Sequence, residues 1–133
     1  MSKFAPIVTG IINQLQVKDV LDYGCGEEMA LLNSIKPQQP VRLQVYDENI
    51  PDYSDTPEPS EMVVCLDVKD ESTLDVLKLL TEKVLFCTVD SDFGISYWLP
   101  LFWERFDIQT YQYMGNGNFY LIVSAIDDHP KLQ

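Results

Sequence analysis

Asp22, Gly24 and Gly26 close a short apolar run, Val20-Leu21-Asp22-Tyr23-Gly24-Cys25-Gly26, and Asp47 follows a second, Val41 to Tyr46. Glycine has no Cβ, so a Gly-x-Gly turn lets a ligand come close to bare backbone N–H groups. A carboxylate at the end of a neighbouring strand can accept hydrogen bonds from both hydroxyls of a ribose. Asp47 lies twenty-one residues beyond Gly26. Together these features point to a nucleoside-containing ligand, held by the turn from Asp22 through Tyr23, Gly24, Cys25 and Gly26 and by the segment Asp47-Glu48-Asn49. A third apolar run, Met62-Val63-Val64-Cys65-Leu66, ends at Asp67. That places Leu66 and Asp67 at the carboxyl edge of a strand, where open α/β sheets bind their ligands.

Regular elements must position these groups. Phe4, Ile7, Val8, Ile11, Ile12 and Leu15 recur at helical spacing and predict a lead-in helix lying across a sheet. Residues Glu27 to Ile35 are expected to form a second helix, ended by Lys36-Pro37 because proline disfavours helix in the residue before it. Val41, Leu43 and Val45 alternate with Arg42, Gln44 and Tyr46, as in a strand at a sheet margin. Met62–Leu66 and Val84–Val89 are nearly continuous apolar runs, which suits central parallel strands. Leu74, Leu77 and Leu80 mark a helix between them, with Ser72 and Asp75 as its expected capping box. Phe106–Tyr113 and Phe119–Ile126 flank the turn Met114-Gly115-Asn116-Gly117-Asn118 and must therefore run antiparallel. From Asp47 to Glu61 the chain is a polar loop with three prolines and no strand or helix pattern.

The chain has 133 residues, enough for the single domain expected over 1–133. Nine Lys and Arg against 21 Asp and Glu give a net charge of −12, a field that opposes a direct grip on nucleic-acid backbones. Cys25, Cys65 and Cys87 lack metal-ligand spacing and read as buried reduced thiols of a cytoplasmic protein, with no leader and no membrane span expected. The carboxylates Asp52, Asp55, Glu58 and Glu61 lack the order of a calcium loop and read as a solvated loop. The one histidine, His129, stands in a polar tail, so no metal site is expected there.

The arrangement resembles the class I S-adenosylmethionine-dependent methyltransferases, in particular their small, phage-type members. Asp22, Gly24 and Gly26 match the family's first motif, Asp47 its second-strand acid, and Met62–Asp67 its fourth-strand run. Tyr97-Trp98-Leu99-Pro100 to Glu104-Arg105-Phe106-Asp107 resembles the family's last helix and the strand after it. The resemblance implies an α/β, Rossmann-like fold: a reduced, mainly parallel sheet in family order 2-1-4-5-7-6, lacking strand three, with an antiparallel last strand. It implies S-adenosylmethionine as the small-molecule cofactor and an unidentified methyl acceptor. Glu27 and Glu28, with no Lys or Arg in the turn, fit a sulfonium better than a pyrophosphate, which disfavours a dinucleotide oxidoreductase.

The chain departs from the family in two places. Glu28 stands where the third glycine belongs, a carboxylate expected to disfavour the cofactor's own carboxylate and to crowd it. Lys69-Asp70-Glu71 follows Val68 where short members often have Glu-His, so no catalytic residue is assigned. Asp90 and Asp92 are weak candidates for a general base, Ile50 or Tyr53 for cover over an adenine, and Trp98, Leu101, Phe102 and Phe106 read as core. A degenerate, non-catalytic module for interaction or cofactor sensing is the alternative to a working enzyme.

Overall fold

The computed structural model describes residues 3–89 and 94–126; Asp90, Asp92 and His129 lie outside them. Six strands form one sheet: β1 (Asp19–Tyr23), β2 (Arg42–Tyr46), β3 (Ser60–Val68), β4 (Thr81–Val89), β5 (Phe106–Gly115) and β6 (Asn118–Ala125). Three helices, α1 (Ala5–Leu15), α2 (Glu71–Leu80) and α3 (Ile95–Arg105), and a short 3-10 turn at Pro51–Tyr53 complete the regular elements among the described residues. The strand order is β2-β1-β3-β4-β6-β5. With the absent third strand left in the count, this is the expected order 2-1-4-5-7-6. The first four strands are parallel, and β6 runs antiparallel to both β4 and β5. The last strand therefore inserts into the sheet and does not merely extend a hairpin.

Side-chain alternation sends two apolar sets to opposite faces. Val20, Met62, Val64 and Phe86 meet Val8 and Ile12 of α1 and Leu31 of the following turn. Leu21, Val63, Cys65, Leu85 and Cys87 meet α2 through Leu74 and Leu77, and α3 through Trp98 and Phe102. Helix α1 ends at Gln16, whose left-handed backbone (φ 52) lets its N–H close on Ile12. No helix among the described residues is long and apolar enough to cross a membrane.

Two expectations about helices are corrected. Residues 27–35 form turns, not a helix. Met29 adopts φ 48, a left-handed conformation that an α-helix cannot pass through, and only scattered bonds such as Asn33 N–H to Met29 O follow it. Buried Leu31 and Leu32 anchor the segment instead. Helix α2 begins earlier than expected: Asp70 is its N-cap, accepting from the Thr73 N–H at 2.9 Å and from the Ser72 hydroxyl at 2.8 Å. Asp75 is thereby freed from capping and accepts from Arg105 Nε at 2.7 Å, tying α2 to the end of α3.

The alternating strand β2 lies at an edge, as its pattern requires, and the polar loop passes over its α2-side face. Gln44 donates to Glu58 O at 3.0 Å and accepts from Glu58 N–H at 2.9 Å, imitating a strand pair with its side-chain amide. Within the loop Asp52, Asp55 and Glu58 are exposed, whereas Glu61, expected at the loop's end, lies in β3 and pairs with Lys83 at 3.2 Å.

Candidate functional site

The parallel register aligns the ends of β1 and β2, setting Asp22 opposite Val45 and Tyr23 opposite Tyr46. Both chains turn sharply after these pairs. The backbone at Gly24 and Gly26 has φ 93 and φ 73, values an L side chain resists, and the Gly24 and Cys25 N–H groups both bond Tyr46 O, at 2.7 and 3.1 Å. Asp47 then reaches back into the glycine turn: its Oδ2 accepts from Gly26 N–H at 3.0 Å and its Oδ1 from Asn49 N–H at 3.0 Å. The two motifs read from the sequence are thus one hydrogen-bonded unit. Each Asp47 oxygen keeps acceptor capacity beyond its single backbone bond, enough for a pair of vicinal hydroxyls.

A third wall comes from β3. The register with β4 slips by one residue between Cys65 and Val68, and Asp67 in the bulge takes φ 70. Its N–H donates to the Thr88 hydroxyl at 2.6 Å, and its carboxylate lies 3.6 Å from Lys69 Nζ. A bulge re-aims side chains at a strand end, here beside the N-terminus of α2.

Between these walls lies an open cleft of about 470 Å³. Of the ten residues expected at the site, Tyr23, Gly24, Asp47, Glu48, Asn49, Leu66 and Asp67 line it. Asp22, Cys25 and Gly26 do not; they stand behind it, Gly26 joined to it through Asp47. Sequence reasoning missed Tyr46, Cys65, Lys69, Asp70, Ser72, Thr73 and Val76, which complete the lining. Tyr46 was findable, because two strands that each end in Tyr-then-turn set those rings together: Tyr23 and Tyr46 stack at 4.7 Å. Ile50 and Tyr53 are not in the lining, and the apolar surface comes from the stacked tyrosines, Leu66 and Val76. Tyr53 instead uses its carbonyl to receive the Asp47 N–H.

Asp22 is the electrostatic anomaly. Its side chain is on the α1 face with Val20 and Val64, the residue is 3% exposed, and among the described residues its carboxyl has no hydrogen-bond partner. Burial first and the Asp47 carboxylate second push its pKa up to about 7. Burial, then Asp22 and Asp67, pushes the Cys65 thiol up to about 12, so it stays protonated and is no nucleophile at neutral pH.

No family model matches the chain, and comparison with curated proteins finds no relative. Solved structures do match. The 16S rRNA methylase ArmA superposes with a TM-score of 0.63 at 13% identity, covering 92% of this chain and 82% of that one. A SAM dependent methyltransferase from Aquifex aeolicus matches with a TM-score of 0.55 at 11% identity over 88% of each chain. A ribosomal protein L11 methylase from Lactobacillus delbrueckii subsp. bulgaricus gives 0.56 at 17% identity, over 94% of this chain and 80% of that one. The chain has a methyltransferase fold. Its cleft lies at the carboxyl ends of the parallel strands, where that architecture places its ligands.

Against the methyltransferase pattern, Glu28 was expected to crowd the cofactor. In the structure Glu28 is exposed and lies outside the cleft lining, and its carbonyl accepts from Asn33 Nδ2 at 2.8 Å. With the 27–35 helix absent, the position following the glycine turn points its side chain to solvent. Glu28→Gly should accordingly change the affinity for S-adenosylhomocysteine by less than about twofold, since solvent screening leaves an exposed charge little influence. Isothermal titration of both forms measures this, and a tenfold gain for the glycine variant would return Glu28 to the site.

Proposed function

We propose that this chain is a single-domain, cytoplasmic, methyltransferase-like protein that binds S-adenosylmethionine in the cleft and transfers its methyl group to an acceptor. The observation that carries the reading is the convergence of Tyr23, Gly24, Asp47, Glu48, Asn49, Leu66 and Asp67 on one cleft of about 470 Å³. That size suits a cofactor of this class. The donor set fits as well. Asp47 would take the ribose, the stacked tyrosines, Leu66 and Val76 would flank the base, and the acidic rim suits a cation carrying only one carboxylate. An ideal Cβ on Gly24 meets nothing within 4 Å, so the glycine turn leaves open space beside the cleft. When bound, S-adenosylmethionine supplies an electrophilic methyl group. The protein's share is alignment of an acceptor nucleophile, which needs no signature catalytic side chain.

Some of the solved proteins of this fold are rRNA methylases. For this chain a direct grip on RNA is disfavoured by the net charge of −12. A second reading, a non-catalytic module that senses the cofactor or engages a partner, has its own support in the turns at 27–35, which leave the glycine turn without a helix N-terminus. Calorimetry with S-adenosylmethionine, S-adenosylhomocysteine and NAD tests the binding step. Heat from the first two and none from NAD is expected, and silence from all three would overturn the cofactor assignment. Transfer of a labelled methyl group to components of a cell extract separates the enzyme from the sensor.

A further inference from the structure

Tyr97, Trp103, Tyr111 and Tyr113 are the exposed aromatic side chains among the described residues, and all four lie on α3 or β5. Trp103 is 73% exposed. Tyr111 and Tyr113 pair across the hairpin with Leu121 and Phe119, which belong to the core on the α2–α3 side, so both tyrosines share the α3 face of the sheet. Leu99, Trp103, Ile108, Gln109, Thr110 and Tyr111 line a groove of about 470 Å³ between helix and strand. A protruding indole thus stands at the rim of a groove large enough to receive one.

Charge separates this face from the rest of the molecule. From Ile95 to Ile126 the charged residues are Glu104, Arg105 and Asp107, a net of −1 out of −12. On so acidic a protein, a face this close to neutral lets two copies approach at little electrostatic cost. Strand β5 contains no Lys, Arg or Pro, the residues that commonly blunt a sheet edge. Bulges at Gln109 and Met114 bend β5 and oppose a continuous sheet between copies, so contact must come from side chains. An RNA partner fits poorly. Arg105 is the one cation of this face, and Asp75, Glu71 and Glu104 already hold its guanidinium.

We propose that the α3–β5 face is the contact between two copies of this chain related by a twofold axis, Trp103 of each copy seated in the groove of the other. A twofold contact requires a patch that complements itself, and knob and groove on one patch meet that requirement. Tyr and Trp with few charges are also the composition of interface centres.

Sedimentation velocity of the full chain tests the proposal. Wild type is expected as a dimer of twice the 15.3 kDa chain mass at roughly 100 µM. Trp103→Glu and Tyr111→Glu each place like charges across the axis. Each should raise the dimer dissociation constant by more than about thirty-fold while leaving the circular dichroism spectrum unchanged. Leu79→Glu, at a side chain 78% exposed on α2, should leave the dimer intact. A monomeric wild type at that concentration would overturn the proposal, whether or not the face then binds a different protein or a single-stranded RNA. So would a dimer indifferent to both substitutions.

Discussion

At pH 8 the Asp22→Asn variant is expected to melt about 5–10 °C above the parent chain, a gain that disappears below about pH 4. In the unfolded chain Asp22 titrates near the ordinary 3.8, whereas in the fold its pKa is about 7. Between these values the native state holds a proton that the unfolded state has released. Stability from this group therefore falls as pH rises through that window. Below it the carboxyl is neutral in both states and costs nothing; above it the full penalty applies. The gap corresponds to on the order of 4 kcal/mol as an upper bound. Asparagine removes the charge but brings an amide into a place with no hydrogen-bond partner among the described residues, which returns part of the gain. About 2 kcal/mol should remain. Melting curves of both forms at unit steps from pH 4 to pH 8 measure the difference directly, and effects common to the two proteins cancel. Equal melting temperatures at pH 8 would mean that water or an unseen donor solvates the carboxylate.

The penalty also bears on function. A protein that maintains a nearly buried carboxyl with no hydrogen-bond partner among the described residues, behind a cleft, holds free energy that a cationic ligand can recover. Under the proposed reading, S-adenosylmethionine should therefore stabilise the parent chain more than the Asp22→Asn variant at pH 8, and the difference should shrink towards pH 5.

Strand assignments were legible because each strand announces itself by burial. Continuous runs gave the central β3 and β4, and the alternation of Val41, Leu43 and Val45 gave the edge strand β2. The hairpin at Gly115–Gly117 fixed the antiparallel end, and the resemblance supplied the insertion of β6. Local backbone conformation was less legible. Nothing in Glu27-Glu28-Met29 forbids a helix by residue type, whereas Met29 is left-handed in the fold and the chain beyond it is anchored by buried Leu31 and Leu32. The α2 cap was misplaced for a related reason, since Asp70 and Ser72 are both good N-caps and the contact of Asp75 with Arg105, thirty residues away, favours the earlier start. At the site, the acids that end strands were readable from spacing alone. The part of the lining supplied by Lys69, Asp70 and the α2 residues Ser72, Thr73 and Val76 was not, because it arises only from the crossover that returns α2 to the sheet.

Asp47 is expected to be the residue on which ligand affinity depends most. Asp47→Ala should weaken S-adenosylhomocysteine binding roughly ten- to a hundred-fold, the value of about 1.5–3 kcal/mol for a charge-assisted hydrogen bond. The structure adds a complication that the sequence did not show: the same carboxylate secures the Gly26 and Asn49 N–H groups, so its loss also loosens the glycine turn. Two effects could then produce one result. Asp47→Asn separates them. Its amide oxygen can still accept from Gly26 N–H and hold the glycine turn, whereas its NH2 group gives up the Asn49 N–H bond and can no longer accept from a ribose hydroxyl. If Asp47 contacts ribose, the asparagine variant should lose most of the affinity that the alanine variant loses, with a smaller fall in melting temperature than the alanine variant shows. If Asp47 serves only to shape the turn, asparagine should retain most of the affinity. Neighbouring Glu48 is exposed and has no such backbone bonds, so Glu48→Gln should bind within about threefold of the parent. Calorimetry and melting on the three variants together therefore distinguish a ribose ligand from a structural brace, and an unchanged affinity in all three would remove this strand end from the binding site.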